Sequence, residues 1–169
     1  MTVPSILAEP SSDPPADSTE QRTHRLLGDL IRVCRDSEET FRLASERDEL
    51  TWLKADLLRR SIQRAGFATA LQTLLHHHGV TSPTQSGSLA GALHRKWVEW
   101  RENFKAPTTE AMLEELIQSE SAVLRAYRDT MEVYPVGLYP QDAAVIAFHA
   151  REIERTLNEV QSLAYGLAR

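Results

Sequence analysis

From about Gln21 to the end of the chain, apolar side chains recur three and four positions apart in four long runs, with no sustained two-residue alternation. That period is the strongest constraint on the fold. It puts the apolar residues on one stripe of a helix and leaves strands without a pattern to stand on. The first run, about 21–47, carries Leu27, Leu30, Ile31, Cys34, Phe41 and Ala44. A second, 48–78, opens on Asp48 as its N-cap and carries Leu50, Leu53, Leu57, Ala68, Leu71 and Leu75; Gly79 follows as the residue that ends it. The third begins at Thr108 or Thr109 and carries Leu113, Leu116, Ile117, Val123, Leu124, Tyr127 and Met131. Pro140 suits the first turn of the fourth, whose stripe is Ile146, Ile153, Leu157, Val160, Ala164 and Leu167.

Runs one and two are joined tightly, as are three and four, so each pair is expected to form an antiparallel hairpin. The long stretch between the second and third runs must then return the chain along the bundle. It contains a shorter amphipathic segment, with Leu89, Leu93, Trp97, Trp100 and Phe104 on one face. A helix of about 17 residues there would cover about 25 Å. The fold expected is therefore all-α: a ferritin-like four-helix bundle with one long crossover carrying a fifth, shorter helix. On this reading Trp97 and Trp100 cover an outer groove, and His94 and Arg95 lie beside them, placed to hydrogen-bond back to the bundle. Residues 1–20 hold four of the eight prolines and are expected to form a disordered tail before a single domain over 21–169.

Composition narrows the function by exclusion. With 19 basic against 24 acidic residues, a net charge of −5 and no basic block, nucleic acid is not an expected partner. No apolar run approaches the ~20 residues of a membrane span, and no secretory signal is evident. One cysteine, Cys34, forbids an internal disulfide and fits a reducing, cytoplasmic setting. Phosphate loops, nucleophile motifs and zinc spacings are all missing from the sequence.

Polar residues inside the stripes raise the question of a metal centre. Two metals in such a bundle need a Glu from each of two helices and a Glu-x-x-His from each of the others. Glu38 and Glu120 face inward by helical phase, but the second run offers Ser61 and Arg64, and the fourth offers His149 without a companion Glu. A permanent cation at 64 repels metal and pairs with carboxylate. The expectation is a buried Glu38–Arg64–Glu120 network joined by His149, with no cofactor. The alternative is a metal, iron by fold analogy, held by Glu38, Glu120 and His149. The tract His76-His77-His78 complements the negative end of its helix rather than converging on one ion, because consecutive residues point about 100° apart.

The segments 26–46 (LLGDLIRVCRDSEETFRLASE), 63–72 (QRAGFATALQ), 87–97 (GSLAGALHRKW) and 119–131 (SESAVLRAYRDTM) resemble a bacterial ferritin-like four-helix-bundle family catalogued as a domain of unknown function and related by fold to rubrerythrins. The likeness spans about residues 26–163. Ser37 and Thr40 stand where members of that family often have glycine, and the run 117–120 is less acidic than theirs. The resemblance implies the fold but no settled activity. Two functions remain: a non-enzymatic helical protein, stress-associated or scaffolding through self-association as a homo-oligomer, and a metal-dependent, di-iron-type oxidoreductase or iron-handling protein with a degenerate site.

Overall fold

The computed structural model describes residues 18–81 and 108–167. Among them are four α-helices, α1 (Thr19–Ser45), α2 (Lys54–His77), α3 (Thr109–Val133) and α4 (Pro140–Leu167), and no strand. The expected crossover helix with His94, Arg95, Trp97 and Trp100 lies outside the described residues, as does the expected tail up to residue 17; residues 18–20, expected to belong to that tail, instead cap and begin α1.

Local chemistry sets each helix end. Ser18 caps α1 in a reciprocal box: its hydroxyl accepts from the Gln21 N–H, and the Gln21 side chain accepts from the Ser18 N–H. Asp48 does not cap α2. Asp48–Leu53 forms a 3-10 turn instead, and α2 starts at Lys54. At three residues per turn Leu50 and Leu53 fall on the same side, and both are buried. Gly79 ends α2 as expected, at φ +78°, with Val80 N–H donating to Leu75 O and Gly79 N–H to His76 O. This Schellman arrangement needs a left-handed residue, which glycine supplies without strain. Thr108 caps α3 by accepting from the Ala111 N–H, and Pro140 occupies the first turn of α4.

Each helix packs on two others: α1 on α2 and α3, and α4 on α3 and α2, the α2–α4 pairing being the thinnest. All four pairings run antiparallel. His78 at the end of α2 meets Asp142 in the first turn of α4, whereas Thr109 at the start of α3 donates to Glu49 O beyond the other end of α1. So α2 ends and α3 begins at opposite ends of the bundle.

The core is apolar at both ends. Leu27, Leu30, Leu71, Leu75, Tyr127 and Ile146 belong to one cluster, and Phe41, Leu50, Leu57, Met112, Leu116 and Val160 to the other. Between them lies a polar layer of Ser37 from α1, Ser61 and Arg64 from α2, and Glu120 from α3. Among the described stripe residues, Met131 and Leu167 are exposed, each in the last turn or two of its helix, and Ile117 and Ala164 are half-buried against the core.

Candidate functional site

Arg64 is the largest fully buried side chain among the described residues. Its Nη2 donates to Glu120 Oε2 at 2.5 Å, and Glu120 Oε1 accepts from the Ser37 hydroxyl at 2.8 Å. The other guanidinium nitrogen, Nη1, donates to Gln63 Oε1 at 2.8 Å. The charged group sits over the Phe41 and Phe67 rings, 5.7 and 5.3 Å from their centroids, which recovers part of its lost hydration. Arg64 Nε is buried without a partner.

Glu38 is not in this layer. Its carboxylate turns outward to Arg35 Nη1 at 2.8 Å, with 30% of the side chain exposed. Ser61 donates to the Glu38 main-chain oxygen, so at this level α2 lies against the α1 backbone and the longer side chain is diverted to the flank. The inward place that helical phase offers to Glu38 belongs to the neighbouring, shorter Ser37.

His149 points inward from α4, stacked on Phe67 with centroids 3.9 Å apart. Its Nδ1 lies 3.2 Å from the Tyr127 hydroxyl, which is 2.9 Å from Cys34 Sγ. Two proton arrangements satisfy this relay: thiol to phenol to imidazole, or the reverse with the proton on Nδ1. Either way each group is neutral. Burial, and then the nearby Arg64 charge, lowers the His149 pKa to about 4. Burial pushes the Cys34 thiol up to about 12, the Tyr127 hydrogen bond opposing it. Burial also raises Tyr127 well above the usual phenol range, with Cys34 adding to the effect.

Chemically, the relay holds a thiol that is not nucleophilic and an imidazole that is a weak base at neutral pH. The residues named for a metal do not fit one. Glu38 faces away, Glu120 is engaged at both oxygens, and no group of three or more His, Cys, Asp or Glu residues among those described is placed to hold a metal ion. In the histidine tract, His78 Nε2 meets Asp142 Oδ2 at 2.6 Å while His76 and His77 are exposed, so the three do not converge.

Three features escaped the sequence reading. Arg60 is buried on α2 between Asp56 and Glu159, at 2.6 and 2.8 Å; an Asp four residues earlier was the available signal. The Cys34–Tyr127 contact joins positions 93 apart, beyond the reach of local spacing. At the bundle end, Asp142 accepts from Tyr134 as well as meeting His78, and the Tyr134 hydroxyl is raised by burial and by that carboxylate.

The model of one protein family, described as a domain of unknown function (DUF2383), matches residues 22–133. The chain belongs to the DUF2383 family. The DUF2383 match spans α1, α2 and α3, with Arg64, Glu120, Cys34 and Tyr127; it stops at the end of α3, before His149 on α4. No curated protein and no solved structure matches this DUF2383 chain.

Proposed function

We propose that the protein is a non-enzymatic helical bundle of ferritin-like architecture that acts through its surface, as a scaffolding or stress-associated factor that self-associates. The observation that carries this is the state of Glu120. The central carboxylate is fully engaged by Arg64 and Ser37, so the bundle interior offers a closed ion pair instead of an open coordination site. The architecture is supported by two antiparallel hairpins whose junction joins opposite ends of the bundle. A cytoplasmic setting without nucleic-acid partners goes with the charge of −5 and the single buried thiol. None of the helices described is long and apolar enough to cross a membrane.

Metal analysis and an absorption spectrum of natively purified protein test the reading, together with light scattering for mass. The expected result is metal far below one equivalent per chain and an oligomer larger than one chain. Iron near two equivalents, with a visible absorption band that chelation removes, would replace this reading with the metal-dependent one.

A further inference from the structure

We propose that the bundle opens along the α2–α4 seam, with the α1–α3 pairing as hinge, and that this is how water and solutes reach the buried Arg64–Glu120 pair and His149. The helix pairings differ in kind. Across α1–α3, Cys34 meets Tyr127 and Ser37 meets Glu120, all fully buried, within an apolar spine. The α2–α4 pairing is the thinnest of the four and is crossed by polar and aromatic contacts: Arg60 to Glu159, Gln63 to Glu152 at 3.2 Å, Phe67 on His149, and His78 to Asp142. Water can replace each polar link when the seam parts, whereas it cannot replace apolar contacts.

The seam is also wired to the interior. Gln63 accepts from Arg64 and donates to Glu152, so its carboxamide links the seam to the buried guanidinium. A cavity of about 280 Å³, lined by Arg59, Arg60, Gln63, Arg155, Thr156 and Glu159, already lies at this position. Wetting the interior costs less here than in an apolar core. Both ions of a buried pair regain hydration together, and Arg64 Nε gains the partner it lacks.

Protons couple to the opening through His149. It faces Phe67 and Arg64 of α2 and Tyr127 of α3, with Cys34 of α1 behind Tyr127; Glu120 balances Arg64, and Glu152 on its own helix is taken by Gln63 and Arg155. In the closed bundle its pKa lies at about 4. A wetted imidazole returns to about 6.5. The open population should therefore rise about tenfold between pH 7.5 and 5.5.

Cys34, the chain's one cysteine and fully buried, reports the opening through its rate of reaction with a thiol reagent in the intact protein. Rates are divided by those of a free thiol peptide at each pH. The expected labelling has a urea dependence well below that of global unfolding. It rises about tenfold from pH 7.5 to 5.5 in the native protein and stays flat in His149→Phe. It also slows strongly when Arg59→Cys and Arg155→Cys, both on the exposed rim of the seam, are bridged by a short bis-maleimide, but not when each is capped singly. Labelling that follows global unfolding in urea, or that ignores the bridge, overturns the seam as the line of opening. A normalised rate independent of pH in the native protein overturns the coupling to His149.

Discussion

At position 64 the helical period asks for an apolar side chain, and the chain supplies arginine. The consequences follow from desolvation. A guanidinium with no exposed surface survives because Glu120, Gln63 and two aromatic rings surround it. Truncation by Arg64→Ala leaves the Glu120 carboxyl group buried with only Ser37 as partner, and should cost about 3–5 kcal/mol. Replacing both partners, Arg64→Met with Glu120→Leu, removes the charge and fills the space, so the double variant should be more stable than Arg64→Ala. Urea unfolding of the single and double variants checks this. A double variant no better than Arg64→Ala would mean that the pair is required for more than its mutual neutralisation. Helical phase alone brought Glu120 and Arg64 inward. It misplaced Glu38 because phase resolves a residue to within about a third of a turn, and a neighbouring backbone decided which of Ser37 and Glu38 faced the core.

Among the elements, helix ends were the most legible where a residue has a single conformational reason to be there. Gly79 and Pro140 are such cases. Gly79→Ala keeps the space free of clashes, since no atom lies within 4 Å of an added Cβ, but forces a side chain into φ +78°. It should cost about 1–2 kcal/mol. Thermal unfolding of that variant measures the loss, and an unchanged midpoint would mean that α2 can end without the left-handed residue. At the same end of the hairpin, where α1 begins, Ser18→Ala removes an acceptor of the capping box and should cost about 0.5–2 kcal/mol. Hydrogen exchange confined to the first turn of α1 checks that the loss is local. Asp48 was less legible. A polar residue before an apolar run fits a cap or a 3-10 turn equally well, and packing of both Leu50 and Leu53 selected the turn.

For the molecule as a whole, the Cys34–Tyr127–His149 relay makes stability depend on pH from both sides. His149 is held neutral with its pKa lowered to about 4, so below about pH 6.5 the unfolded chain takes up a proton that the folded one refuses. Stability therefore falls as pH drops from about 6.5 to 4, by at most roughly 3 kcal/mol from this residue. On the alkaline side Cys34, raised to about 12, keeps its proton when the unfolded thiol has lost it, so stability also falls above about pH 8.5. A urea midpoint greatest between about pH 6.5 and 8.5 is expected, and His149→Phe should flatten the acid limb alone. An acid limb unchanged in that variant would shift the cause to other groups.

The helices and most of what they bury follow from the spacing of residues along the chain. Repeats of three and four set Leu27, Leu57, Leu116 and Ile153 on inward faces, and glycine, proline and threonine marked several ends. These are local matters, settled by backbone geometry within a turn or two. Which inward polar groups meet depends instead on how the helices pack on one another. Ser37 rather than Glu38 closes the ion pair, Cys34 reaches Tyr127, and Arg60 crosses to Glu159. Such pairings depend on the rotation and offset of whole helices. A small rotation of a helix, or a slide along its neighbour, keeps the apolar stripe inward but changes which polar side chains meet, so no local pattern records it.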